Sequence, residues 1–169
     1  RKYFPKRDVW ASDPWHNAAN ANMRKLVMTP RRVLPQKTIF RKGGSWTLKR
    51  GTKVGTVDLP TDFTVSFGLT PTKKINGWAN ILHVTGTGGN CCSYGDRIPA
   101  IWFYSRTTRF HMIDGHQRVG NDECPISQQL PLNKRTAVKI VHLPTQCNVY
   151  FNGKKMCTEA RADRKNFPQ

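Results

Sequence analysis

"DFTVSFGL" (Asp62–Leu69) decides the fold class: Phe63, Val65, Phe67 and Leu69 fall on one side of an extended chain, and Thr64, Ser66 and Gly68 fall on the other. That is the period-two pattern of a half-buried strand. Working outward, "WANILHV" (Trp78–Val84), "AIWFYS" (Ala100–Ser105), "TRFHMI" (Thr108–Ile113), "TAVKIVHL" (Thr136–Leu143) and "CNVYFNGKKMC" (Cys147–Cys157) repeat the theme at short spacing. Asn152-Gly153 marks a tight hairpin, because both residues tolerate positive φ. Only "WHNAANANMRKL" (Trp15–Leu26) has helix-friendly alanines, and its asparagines spoil it. It reads as a loop leading into a strand over Met23–Met28. Many short strands with polar turns and no linker imply a single all-β sandwich or barrel.

The chain has 169 residues, enough to bury a hydrophobic core without a metal. Its 28 Lys+Arg against 10 Asp+Glu give a formal charge of +18, so the surface field attracts polyanions at low ionic strength. Sulfated or uronic glycans, nucleic acid and anionic lipid all qualify. The basic residues come as scattered pairs (Arg31-Arg32, Arg41-Lys42, Lys49-Arg50, Lys73-Lys74, Lys134-Arg135, Lys154-Lys155) rather than one stripe, which argues against sequence-specific nucleic-acid reading. No apolar run reaches the roughly 20 residues that span a bilayer, and no leader core precedes the domain. Cys91, Cys92, Cys124, Cys147 and Cys157 lack zinc-ligand spacing, so disulfides and an extracellular or cell-surface location are expected.

From "TDFTVSFGLTP" (Thr61–Pro71) through "GWANILHVTG", "GDRIPAIWFY", "TRFHMIDG", "LPLNKRTAVKIVH" and "NVYFNGKKM" (Asn148–Met156), the order and spacing resemble a laminin G-like or concanavalin A-like jelly roll over about residues 37–156. The resemblance implies an antiparallel jelly-roll β-sandwich whose chain continues past the NGK hairpin into further closing strands. This chain offers little there. It does carry "RKYFP" at Arg1–Pro5 and "RKNFP" at Arg164–Pro168, the kind of seam that a cut through a tandem array leaves.

The sequence therefore divides into a closing-strand segment, 1–31, and a jelly-roll body, 32–169. The segment can fold back on its own sandwich as a circular permutant. Alternatively it completes a neighbouring copy, with Val9, Trp10, Pro14, Trp15, Leu26 and Met28 as the complementing residues. Head-to-tail completion between identical subunits does not close on itself and generates a filament. The plainer alternative is an N-terminal extension with an accidental repeat.

Catalysis has no candidate. Glycosidases need paired carboxylates, and the two glutamates, Glu123 and Glu159, lie in unrelated stretches. His83, His111 and His142 sit inside strand patterns, and the other two, His16 and His116, complete no ligand spacing. Asp13, Asp96, Asp114 and Asp122 read as turn aspartates rather than calcium ligands. No cofactor or metal is expected.

"SDPWHNAAN" (Ser12–Asn20) is the most distinctive loop. Trp15, His16 and Asn17 suit a sugar ring and its hydroxyls, or Trp10 and Trp15 plug the closing segment into a sandwich. Adjacent Cys91 and Cys92 point to opposite sides and should reach different partners, Cys124 and Cys157, leaving Cys147 over. A three-residue hairpin loop would instead set Cys147 opposite Cys157. The expectation is a non-enzymatic extracellular structural subunit of a fibre, with identical subunits and anionic polysaccharide as partners. The alternative is a lectin-like or matrix-adhesion module.

Overall fold

The structure, a computed structural model, describes residues 6–30, 40–60, 62–93, 95–115 and 122–160. The repeated RKxFP ends, the 31/32 boundary and His116 lie outside the described residues. Thirteen strands and no helix are found among them: β1 (Lys6–Trp10), β2 (Asn17–Ala18), β3 (Ala21–Pro30), β4 (Phe40–Thr47), β5 (Lys53–Asp58), β6 (Phe63–Pro71) and β7 (Ala79–Thr85), followed by β8 (Ala100–Phe103), β9 (Phe110–Ile113), β10 (Glu123–Cys124), β11 (Thr136–Leu143), β12 (Gln146–Phe151) and β13 (Lys154–Ala160). A seven-stranded sheet runs β10-β9-β8-β7-β1-β5, with β2 beside β7, and a six-stranded sheet runs β13-β12-β11-β6-β3-β4. All pairings are antiparallel except the short β2–β7 contact. The two sheets form a β-sandwich.

The pattern that opened the sequence holds. Phe63, Val65, Phe67 and Leu69 of β6 are buried in the core between the sheets, with Val138 and Ile140 of β11 and Val149 and Phe151 of β12. Asn152 and Gly153 turn the β12–β13 hairpin at φ 49° and 84°. The loop also latches onto β11, because the Ala137 amide donates to Asn152 Oδ1 at 2.8 Å.

Residues 6–30 take the in-chain arrangement. β1 lies between β7 and β5, and β3 lies between β6 and β4, so the segment supplies an internal strand to each sheet. Val9, Leu26 and Met28 are fully buried in the chain's own core, alongside Met23. A bulge between Arg24 and Leu26, with Lys25 at φ 47°, lets Met23 and Leu26 face inward despite standing three positions apart. The strands that flank the segment, β4 and β5, are rich in Gly, Lys and polar residues and carry no clean alternation, so they escape a periodicity reading.

The cysteines differ from expectation. Cys91 and Cys92 are bonded to each other rather than to different partners, within a turn-rich loop that does not extend them as strand residues. Cys124 is bridged to Cys157. That bond joins β10 and β13, the edge strands on one side of the two sheets, and closes the sandwich there. Cys147 is a buried thiol of the core. It pairs in register with Glu159, not Cys157, because the hairpin turn has two residues and a bulge at Val149/Tyr150 shifts the strands.

Candidate functional site

Two-sided burial marks the site. In β8 all four residues are buried, yet only Ile101 and Phe103 belong to the inter-sheet core, while Ala100 and Trp102 form a separate cluster with Ile113. Trp102 therefore lies on the outer face of the seven-stranded sheet. Its register partner His111 shares that face, as the inward Phe110 and Met112 require.

Around Trp102 the rings form a continuous run. Trp15 meets His83 at 5.8 Å between centroids, His83 meets Trp102 at 5.8 Å, and Trp102 meets His111 at 5.9 Å. His111 then meets Trp78 at 4.8 Å, and Trp78 meets Tyr104 at 4.7 Å. Trp10 extends the run beyond Trp15 at 6.4 Å, and His16 approaches Trp102 at 5.6 Å. The middle is covered and the ends are open: Trp102 is 2% exposed, whereas Trp15 and Trp78 are each 41% exposed. Arg97 lies over the Trp102 ring, 4.5 Å from its centroid, and Arg109 lies over Tyr104 at 3.7 Å. The Trp102 Nε1 is buried and has no protein acceptor.

The "SDPWH" turn is held from beneath. Asp13, fully buried, accepts the amides of Trp15 at 3.1 Å and His16 at 2.8 Å on Oδ1, the geometry of a turn-stabilising aspartate. Its Oδ2 lies 3.0 Å from His83 Nδ1 and 3.3 Å from His16 Nδ1. The other His83 nitrogen, Nε2, donates to the Asp96 carbonyl at 2.6 Å. The Asp13 amide in turn donates to Asn80 Oδ1 at 2.8 Å, and the Arg50 Nε donates to the Pro14 carbonyl at 3.0 Å. Burial pushes the Asp13 carboxyl up, but donation from the His16 and His83 rings and the His16 amide outweighs it and holds the group well below the usual carboxylate range.

A second polar cluster stands beside Trp78. The Tyr104 hydroxyl donates to Glu123 Oε1, and His111 Nδ1 lies 2.9 Å from both of those oxygens. Burial is the leading cause pushing the His111 pKa down, against the pull of Glu123. Burial and the Glu123 carboxylate raise that of Tyr104. For Glu123, burial acts upward, but its bonds from Tyr104 and His111 bring the pKa below the usual value. Asp114 and His142 pair at 3.2 Å away from this face, where His142 stacks on the core ring of Phe63 at 4.6 Å.

The sequence singled out Trp15, His16 and Asn17, and the structure brings Trp15 and His16 into the aromatic run. Asn17 is exposed and pairs with Ala79 through β2. Trp15 does not act as a buried plug, since its turn lifts it onto the outer face, and Trp10 is half-buried beside it. The sequence missed Trp78, Arg97, Trp102, Tyr104 and Arg109. One signal was present: "AIWF" is apolar on both faces, as a strand covered on both sides must be. No family model, curated protein or solved structure matches the chain.

Proposed function

We propose that the chain is a non-catalytic carbohydrate-binding adhesion module of the extracellular space, with its sugar site on the outer face of the seven-stranded sheet. The observation that carries this reading is the pair of exposed tryptophans, Trp15 and Trp78, at the two open ends of one run of rings whose middle is buried, with Tyr104, Arg109 and Glu123 beside Trp78. Aromatic faces stack on the apolar face of a pyranose, and guanidinium and carboxylate groups suit its vicinal hydroxyls.

Two things favour binding over hydrolysis. Glycoside cleavage needs one carboxyl free to donate a proton and a second to attack or activate water. On this face Glu123 is engaged by Tyr104 and His111, and Asp13 is committed to the turn it holds. The Cys124–Cys157 cystine favours an oxidising, extracellular setting. A fibre built by passing Lys6–Pro30 to a neighbour has less support, because that segment is already seated between strands of its own chain in both sheets.

A neutral-glycan array probed at high salt tests the reading, since screening removes charge-driven retention. Binding should persist there, and Trp15→Ala or Trp78→Ala should each weaken it by about tenfold, the scale of a lost aromatic contact. A protein that captures no neutral glycan, or tryptophan variants that bind like the wild type, would refute it.

A further inference from the structure

On the opposite side of the molecule, the outer face of the six-stranded sheet carries one row of residues crossing every strand: Lys155 of β13 faces Tyr150, which faces Lys139, then Ser66, Val27 and Arg41 of β4. The neighbouring row pairs Ala137 with Gly68 and Gly68 with Arg24. Arg135 lies across Gly68, where even a Cβ would come within 2.4 Å of its Nε, so the missing side chain is what lets the guanidinium lie against the sheet. Lys25 is added by the β3 bulge. Together these enclose a groove of about 780 Å³ lined by Arg24, Lys25, Arg135, Lys139 and Lys155, with Tyr150 on its floor and no carboxylate in its lining. None of the five cations belongs to an ion pair among the described residues. One member each of two basic pairs, Arg135 and Lys155, is thus brought together with Arg24, Lys25 and Lys139 on one face, although these residues come from separate stretches of the sequence.

We propose that this groove binds an anionic polysaccharide chain, running across the strands, as a second site distinct from the aromatic face. Like charges brought together without acids cost stability unless a partner neutralises them, and an extended polyanion is the complementary shape for an elongated groove. Strands repeat at roughly 4.7–4.9 Å, close to the rise of one sugar in an extended β-linked chain, so Lys155 and Lys139, two strands apart, meet acidic groups on alternate sugars. Ser66 shares the Lys139 row, and Thr64 and Asn148 occupy the next row of the lining, which adds the hydroxyl and amide groups that sugar hydroxyls require. Nucleic acid fits less well. Single strands are held by successive stacking rings, and this groove has only Tyr150 beside the inward-facing Phe67. Duplex grooves admit a helix or a two-stranded ribbon, not the flat of a six-stranded sheet.

The test measures binding of the full chain to heparin, to a carboxylate-only polyuronate and to oligo-dT across a salt series. Lys139→Ala/Lys155→Ala should lose at least about tenfold in heparin affinity and show a shallower salt dependence, because each lost contact removes a share of the released counterions. Lys73→Ala/Lys74→Ala removes the same charge from an exposed loop outside the groove and should change affinity little. Gly68→Ala, which dislodges Arg135, should also weaken binding, with thermal unfolding confirming that the variant is folded. The polyuronate arm tells whether carboxylates suffice or sulfates are needed. Equal losses in the two double variants would mean that net charge alone binds, and tighter binding of oligo-dT than of either glycan would assign the groove to nucleic acid. Either result overturns the proposal. Trp15→Ala and Trp78→Ala should leave heparin binding intact, which separates this site from the neutral-sugar site.

Discussion

Asp13 sets one buried carboxylate against two backbone amides and two imidazoles, and through them it fixes the height of Trp15 above the sheet. Asp13→Asn puts an amide where His83 and His16 now meet an oxygen. The expected cost is about 2–4 kcal/mol, the range for breaking a buried charged hydrogen-bond network. A urea titration measures it, and a change in tryptophan fluorescence reports the released turn. Acid dependence follows from three depressed pKa values, those of Asp13, Glu123 and His111. For each, the unfolded chain binds the proton more tightly, so acidification favours unfolding. The His111 contribution is present above the unfolded histidine pKa of about 6.5 and is lost as pH falls from there to its lower folded value. The Asp13 and Glu123 contributions are present above the unfolded carboxylate values of about 4 and are lost only below them. Denaturation midpoints measured from pH 8 to pH 3 should fall in both windows; His111→Gln should flatten the upper one and, by removing a charged partner of Glu123, part of the lower, whereas the Asp13 share of the lower window should remain.

Among the elements, the β12–β13 hairpin and the edge bridge carry the clearest consequences. Gly153 turns at φ 84°, a conformation that costs a side-chain-bearing residue about 1–2 kcal/mol. Gly153→Val should therefore lower stability by that order, read as a shift in the urea midpoint at unchanged slope. The Cys124–Cys157 bond closes a loop of sequence separation 33 between edge strands of opposite sheets. Loop-closure entropy values such a link at about 3–4 kcal/mol. Cys124→Ser/Cys157→Ser should lose that amount, and mild reduction of the wild type should reproduce it. If the double variant unfolds at the wild-type midpoint, the sheets are held at that side without the bridge.

At the scale of the whole molecule, removing residues 1–30 takes an internal strand from each sheet and leaves β4 and β5 without their inner neighbours. Such a chain should fail to fold, exposing strand edges that aggregate. The full chain should sediment as a monomer at all concentrations if its segment stays at home, whereas a concentration-dependent polymer that dissolves on adding a peptide of residues 6–30 would restore strand exchange as the assembly principle. The two outer faces then give the molecule opposite chemistries, aromatic and polar on one sheet, cationic on the other.

The sequence by itself determined the all-β class, the strand over Met23–Met28, the strands from Phe63 onward apart from the two-residue β10, and the Asn152-Gly153 turn, because alternation and turn chemistry are local and each can be read from a few neighbouring residues. It also marked Trp15 and His16 through the composition of their loop. Only the tertiary structure decided the rest. That β1 and β3 are internal depended on β4 and β5, whose weak patterns acquire meaning once they pair with a neighbour. The bonding of Cys91 to Cys92 depended on a loop conformation that strand geometry does not describe. The meeting of Trp78 with His111, and the alignment of Lys155 and Lys139 on either side of Tyr150, depended on register between strands, and register is set by how the inward side chains pack, not by the outward residues whose company it determines.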